Sequence, residues 1–432
     1  MSAAFRRNGQ SPPEVPLDVI RLGSWEFWGW EEDQRDGAFA TLRREAPIAF
    51  FAETRRSGRP NDAGFWALTR HADVQFASRN PQLFRSAPYT SLAEPHPSIV
   101  GYVKSMIHMD DPQHQRLRSI VSRAFTPKVL ASADASIRER ARSLVAAMVA
   151  KHPDGSADFV AEVAAPLPLQ VICDMMGVPE ADHEAIYDWT NILMGLGDPD
   201  ITRDLSVFNA TAIEMGNYGE RLAEDRRAHP REDLTTALVH AEANGQRLTS
   251  IEIASFFILL ATAGNETTRH ATSHGLVALT RSPEQRRLWW SDFDAHRRTA
   301  VEEIIRWSSP VNYMRRTLFR DVELGGVRMA AGDKVAMWYI SANRDEEKFA
   351  NPWMFDLRRD PNPHVGFGGG GTHFCLGANL ARREISLIFE QLQRQVPDIV
   401  AQEPARLRSS FVHGIKQLPV VWTAPTVRPG GE

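Results

Sequence analysis

Only two cysteines, Cys173 and Cys375, occur in the 432 residues. That is too few for a disulfide framework and fits a protein kept in a reducing cytoplasm. Long apolar runs are missing as well: the longest, near 253–263, is far short of a bilayer. The opening MSAAFRRNGQSPPEVP lacks the apolar centre of a secretion signal, so no membrane span is expected. No excess of positive charge is present either. A formal net charge of −4 excludes a general nucleic-acid binder, and any basic surface has to be local. Neither an internal repeat nor a linker interrupts the chain. The expectation is one domain over 19–423, between a flexible arm at 1–18 and a loose tail at 424–432, acting as a cytoplasmic monomer.

What is present is mostly helical periodicity. Helices are predicted over Trp25–Arg44, Ala72–Phe76, 112–126, Ile137–Ala150, Leu169–Met176, Ala181–Met194, Thr211–Arg226 and Asp233–Ala241. Thr249-Ser-Ile-Glu252 is a capping box that opens a long helix reaching about Thr280. Helices at Pro283–Trp290 and Arg297–Ser308 follow. Strands are predicted at Ile48–Phe51, Phe65–Thr69, Val322–Met329 with a Gly325-Gly326 turn, Lys334–Tyr339, Val412–Gly414 and Val420–Trp422. The fold class is therefore mainly α with a smaller antiparallel β portion. Its strands lie near both ends of the chain and should pair across it. Residues 81–99 read as a long loop of the kind that carries function.

Five stretches stand out. The centre of the long helix, Leu260-Ala-Thr-Ala-Gly-Asn-Glu-Thr-Thr268, places a glycine and polar residues within an apolar helix. Gly264 costs roughly 1 kcal/mol relative to Ala there, and Glu266 needs a partner if buried. Glu303 and Arg306 share a helix face, as do His114 and Arg118. Arg315 and Arg316 are adjacent in an extended stretch and so point to opposite sides. Finally, PNPHVGFGGGGTHFCLGANLARR at Pro361–Arg383 runs four glycines into His373 and Cys375, just before a helical run. A thiolate at that helix start is favoured by the inward-pointing amides.

Each of these signals alone is more simply a surface pair or a buried thiol. In chain order they read His-x-x-x-Arg, Ala-Gly-x-Glu-Thr-Thr, Glu-x-x-Arg, Arg-Thr and a glycine loop ending His-x-Cys-x-Gly. That order closely resembles the soluble bacterial form of the cytochrome P-450 family over residues 20–422. The resemblance implies a triangular prism with haem b between the long helix and the Cys loop, Cys375 being the axial thiolate of the iron. It implies that His114, Arg118, Arg316 and His373 hold the haem propionates and that Phe367 and Gly377 line the cofactor. Ala263 and Gly264 would lie over the distal face. Glu266 and Thr267 match the acid–alcohol pair that relays protons, and Glu303 with Arg306 the structural ion pair.

One departure stands out. The family usually spells the loop Phe-Gly-x-Gly-x-His-x-Cys, whereas here Gly368 stands seven before Cys375 and Phe367 eight before. The longer loop, with VNYMRRT and HGIKQLP, resembles the actinobacterial branch acting on methyl-branched lipids and sterol side chains. The implied reaction is insertion of one oxygen atom from O2 into a C–H bond of a branched lipid, sterol or terpenoid. Alternatives are a hydroxylase tailoring a secondary metabolite such as a macrolide, a peroxide-using variant, and a non-catalytic haem sensor. An apolar pocket is expected from Ile107, Leu193, Leu260, Val311, Met314 and Val412. The chain carries no flavin or iron–sulfur segment, so NAD(P)H-derived electrons are expected through a ferredoxin and its reductase. Arg116, Arg123, Lys128, Arg382 and Arg383 are the candidate docking patch for an acidic ferredoxin.

Overall fold

A computed structural model describes residues 8–53, 64–243 and 246–423. Its organising element is the helix Ser250–Arg281, 32 residues long. The Thr249 hydroxyl accepts from the Glu252 amide, and the Glu252 carboxylate accepts from the Thr249 amide, closing the capping box. Nearly every residue from Ile253 to Leu279 outside the polar centre is buried, as expected for a helix that is apolar all round. Helices Pro166–Met176, His183–Met194, Leu205–Ala228, Phe293–Ser308 and Ala378–Gln395 pack around it. Among the described residues no helix is long and apolar enough to cross a membrane.

The strands do pair across the chain. Ile48–Phe51, Phe65–Leu68, Lys334–Trp338, Tyr313–Leu318 and Phe84–Arg85 form one five-stranded sheet in that order. Only the contact of Phe65–Leu68 with Lys334–Trp338 is parallel. Beneath it lies an aromatic cluster in which Trp28 stacks on Trp338 with ring centroids 5.3 Å apart. That cluster explains why 25–44 is not one helix. Phe27–Gly29 is a short 3-10 turn that drops Phe27 and Trp28 into the core, and the helix begins afterwards at Glu32–Glu45.

Two other expectations are corrected. Residues 8–18 of the arm expected to be flexible are tied down. The Phe355 amide donates to Asn8 Oδ1 at 2.7 Å, and Thr41 Oγ1 donates to the Val15 carbonyl at 2.7 Å. Residues 1–7 and the tail 424–432 lie outside the described residues. The last strands are Ile415–Gln417 and Pro419–Val421 rather than Val412–Gly414 and Val420–Trp422. The 411–413 backbone is instead bound to 310–312, by Asn312 N–H to Phe411 O and His413 N–H to Pro310 O.

Candidate active site

An enclosed cavity separates the centre of the long helix from the glycine loop. Ala263, Gly264, Thr267 and Thr268 form one wall, and Phe367, His373, Cys375 and Gly377 the opposite one. Two forces build the Cys wall. Gly368, Gly370 and Gly371 take left-handed backbone angles with φ of 96°, 92° and 81°, accessible to glycine without strain. The loop also presses on the end of helix His71–Arg79: a Cβ at Gly371 would collide with the Ser78 carbonyl oxygen. The glycines thus serve close approach to that helix as well as to the thiol.

Cys375 is exposed toward the cavity, and its amide donates to the Phe367 carbonyl at 3.0 Å. The surrounding polypeptide desolvates the thiol and pushes its pKa up, while the Gly377 and Ala378 amides and the Arg118 guanidinium favour the thiolate. These amides sit at the start of helix Ala378–Gln395, where the helix end is positive. Phe367 stands eight residues before Cys375. It lines the cavity, and the Arg382 guanidinium lies 4.5 Å from its ring centroid.

Cationic and donor groups gather at one edge of the cavity. His114 and His373 stack with centroids 4.0 Å apart. Asp111 lies 3.2 Å from His114 Nδ1, whereas His114 Nε2 is buried without a partner among the described residues. Arg118 reaches the Phe374 carbonyl at 2.6 Å. Strand alternation separates the two adjacent arginines. Arg316 lines the cavity and donates to the Arg315 carbonyl at 2.9 Å, while Arg315 pairs with Glu94 at 2.9 Å away from it. Burial lowers the pKa of Arg316, with Tyr339 and Asp110 opposing.

On the long helix, the space beside Gly264 is bounded by Ile172, which also lines the cavity. A Cβ there would come 3.2 Å from Ile172. Thr267 Oγ1 donates to the Ala263 carbonyl at 2.9 Å, the backward bond that a mid-helix threonine can make. Glu266 is not on the cavity wall. It is 3 % exposed and faces the other way, 3.1 Å from Arg269 Nη1 and 3.2 Å from His270 Nε2. Burial raises its pKa, but Arg269 and His270 outweigh that and hold the carboxyl below its usual value.

Glu303 and Arg306 are fully buried beneath the Cys side and joined by two bonds of 2.7 and 2.8 Å. Arg306 also donates to the carbonyls of Asn343, Pro352 and Met354. Sequence reasoning missed the remaining partners of Glu303, namely Arg359 at 3.2 Å, Asn362 at 3.0 Å and the Asp356 amide at 2.9 Å. It also missed Glu384, which lines the cavity with its pKa pushed up to about 8 by burial, Thr268 opposing through a hydrogen bond. Glu384 directly follows Arg382 and Arg383 in the sequence, so nothing in its neighbours marked it as a buried, unpaired acid.

Of the expected pocket residues, Ile107, Leu260, Val311 and Met314 line the cavity. Leu193 and Val412 do not. Leu193 packs on the main core, and Val412 is buried in a backbone bridge to Val311. The expected docking cations are largely neutralised: Arg116 pairs with Glu252 at 2.6 Å, Arg382 with Glu302 at 2.6 Å, and Arg383 with Asp134. The side chains of Arg123 and Lys128 lie outside the described ones.

Residues 298–395 match the family described as Cytochrome P450. The methyl-branched lipid omega-hydroxylase of Mycobacterium tuberculosis is 60% identical over 421 residues, 97% of this chain and 98% of that protein. The steroid C26-monooxygenase of Rhodococcus jostii is 41% identical, with 88% of this chain and 80% of that protein covered. A Mycobacterium marinum cytochrome P450 solved in complex with pseudoionone superposes with a TM-score of 0.90 at 40% identity, over 97% of this chain and all of that one. The cavity carries the donor set that a haem requires: one thiol facing inward, the guanidiniums of Arg118 and Arg316, and the unpartnered buried Nε2 of His114. Its opposite walls are otherwise mostly apolar. Sequence, fold and site chemistry converge, and the chain belongs to the cytochrome P450 family, haem-thiolate monooxygenases that use O2 and electrons from redox partners.

Proposed function

We propose that this monooxygenase hydroxylates the terminal region of a methyl-branched aliphatic chain, either a branched lipid or a sterol side chain. The carrying observation is the 60% identity, over 97% of the chain, with a methyl-branched lipid omega-hydroxylase. The relative named for steroid C26 oxidation points to the same chemistry, because that carbon ends a branched side chain. Ile107, Leu260, Val311 and Met314 give the cavity a wall suited to branched hydrocarbon. Electrons come from a ferredoxin and its reductase in the cytoplasm. With Arg116, Arg382 and Arg383 already paired, docking depends on shape and backbone dipoles as well as charge.

Cys375 would hold the haem iron, with the amides of Gly377 and Ala378 favouring the thiolate. Arg118, Arg316, His114 and His373 would hold the propionates, and Phe367 the macrocycle edge near the sulfur. When bound, haem supplies the activation of dioxygen and the transfer of an oxygen atom. Everything else is the work of the protein. Gly264 and Ala263, on the cavity wall facing Cys375, would leave room for the group and for dioxygen. Thr267 gives up its backbone bond to Ala263 and turns its hydroxyl proton into the cavity. Glu266, ionised while it pairs with Arg269, would take up a proton from solvent on rotating away and pass it to Thr267. Glu384, a neutral acid on the cavity wall, holds a further proton beside Thr268.

The test is a spectral titration with iso-branched fatty acids, straight-chain fatty acids, a sterol and a macrolide, followed by product analysis. A low-to-high spin shift and terminal hydroxylation confined to the branched compounds are expected. Equal turnover of straight chains, or a shift with the macrolide alone, overturns the substrate reading. The reduced protein under carbon monoxide should show the strongly red-shifted Soret band of thiolate ligation.

A further inference from the structure

The part of the cavity wall formed by Pro310 and Val311 belongs to neither a helix nor a strand. It lies between helix Phe293–Ser308 and strand Tyr313–Leu318. Ser309 opens it at φ 39°, in the left-handed region that a residue with a side chain keeps only when its surroundings impose it. The stretch is therefore held in shape from outside. Its holder is the segment 409–413. Asn312 N–H donates to the Phe411 carbonyl at 2.8 Å, His413 N–H to the Pro310 carbonyl at 2.9 Å, and Val311 is bridged to Val412. Asn312 Nδ2 adds a bond to the Ser410 carbonyl at 3.1 Å.

His413 ties this arrangement to the rest of the fold. Its Nδ1 lies 2.5 Å from the Ser308 carbonyl, an oxygen that only accepts, so Nδ1 carries a proton and donates. Its Nε2 lies 3.0 Å from Glu32 Oε1 on helix Glu32–Glu45, and the other oxygen of Glu32 pairs with Arg406. Burial pushes the Glu32 carboxyl up, but Arg406 and His413 outweigh it and hold it well below its usual range. The ring of His274, on the long helix, stacks on His413 with centroids 4.1 Å apart, and His274 Nε2 donates to the His413 carbonyl at 3.1 Å. His413 itself is buried and does not line the cavity. One ring thus joins the helix Glu32–Glu45, the long helix and the end of the helix that leads into the wall.

We propose that His413 is a positioning residue that fixes the Pro310–Val311 wall and thereby sets which carbon of a branched chain end is hydroxylated. This deepens the substrate reading given above and rests on it. In an iso-branched chain the tertiary C–H beside the two methyl groups is weaker than the C–H bonds of the methyls. Oxidation at the terminus therefore needs a rigid wall that keeps the tertiary carbon from the reacting group. A misplacement of about 1 Å in a substrate-positioning group is enough to cost about a hundredfold in rate. Without the bond to Ser308, Val311 withdraws and the tertiary position gains access.

Two polar substitutions divide the two ends of the ring. His413→Gln reaches Glu32 with its amide but leaves the Ser308 carbonyl without its donor. His413→Asn places an amide N–H where Nδ1 stands, keeping the bond to Ser308 and losing Glu32. With NADH, a ferredoxin, its reductase and a saturated iso-branched fatty acid, the haem-loaded parent should give mainly the primary alcohol. His413→Gln should raise the ratio of tertiary to primary alcohol about fivefold or more, and His413→Asn should stay within about twofold of the parent. That ratio does not depend on how much of a variant is folded or loaded, so a loss of stability alone leaves it unchanged. Val311→Ala, which shortens the wall directly, should raise it too. An unchanged ratio in His413→Gln or in Val311→Ala, or a larger rise with His413→Asn than with His413→Gln, overturns the proposal while the substrate reading stands. A parent that yields no primary alcohol and no spin shift overturns the substrate reading, and this inference with it.

Discussion

Replacing Arg306 by Lys tests whether this side chain is a charge or a five-bond joint. Arg306 is fully buried and gives two bonds to Glu303 and three to the carbonyls of Asn343, Pro352 and Met354. These acceptors come from separate chain segments, so they fix 343–354 beneath the helix Phe293–Ser308. A Lys keeps the charge, but its three donors radiate from one nitrogen and cannot match the planar fork. At least two acceptors lose their partner, each costing about 1–3 kcal/mol when buried. The sum is about 3 kcal/mol or more, a large part of the roughly 5–15 kcal/mol that holds a folded domain. Arg359→Lys should cost less, because Arg359 is partly exposed and its longest bonds reach 3.2 Å. Urea unfolding of the haem-loaded protein, followed by the Soret band and far-UV circular dichroism, gives the ordering. A joint Glu303→Leu, Arg306→Met replacement should not rescue stability, as it can for simpler buried pairs, because three carbonyls stay unpaired. An Arg306→Lys protein within about 1 kcal/mol of the parent refutes the joint, as does one less affected than Arg359→Lys.

Glu384 should make stability depend on pH. Its pKa is raised by burial from 4.5 to about 8 in the folded protein, so the native state binds the proton more tightly than the unfolded chain. This contribution is full below about 4.5 and is lost as pH rises through about 8, on the order of 5 kcal/mol in all; thermal melts of Glu384→Gln across that window should be flatter than those of the parent. Gly264→Ala should gain about 1 kcal/mol of helix propensity but crowd Ile172, 3.2 Å from the new Cβ. Adding Ile172→Val should therefore stabilise the Ala variant, and a stable single variant that gains nothing from it would count against the contact. Thr267→Ala removes the hydroxyl now bonded to the Ala263 carbonyl; hydrogen peroxide release per NADH should rise while the carbon monoxide spectrum is unchanged, and unchanged coupling would remove Thr267 from the relay.

Much of the site could be read from local sequence because its chemistry leaves local marks. The Thr249–Glu252 capping box, the glycine run before Cys375 and the three-residue step from Glu303 to Arg306 each follow from short-range geometry. The strand at Tyr313–Leu318 separates Arg315 from Arg316 by simple alternation, although only the fold shows that Arg316 meets the cavity. Helix ends were less legible. Phe27–Gly29 leaves the predicted helix because its aromatic side chains are drawn into a cluster with Trp338, more than three hundred residues away in sequence by the numbering.

The sequence by itself determined the mainly helical class and the thiol around which the cavity is built. Periodicity, caps and glycine strain are properties of neighbouring residues, so they are visible without the fold. Only the tertiary structure decided which way those residues face. Glu266 turns from the cavity because Arg269, His270 and the Ile415 amide meet on its far side. Glu384 stays neutral because packing removes water from it, and Arg116, Arg382 and Arg383 lose their free charge to acids distant in the chain. Burial and ion pairing depend on partners far apart in sequence, and the three-dimensional packing alone brings them together.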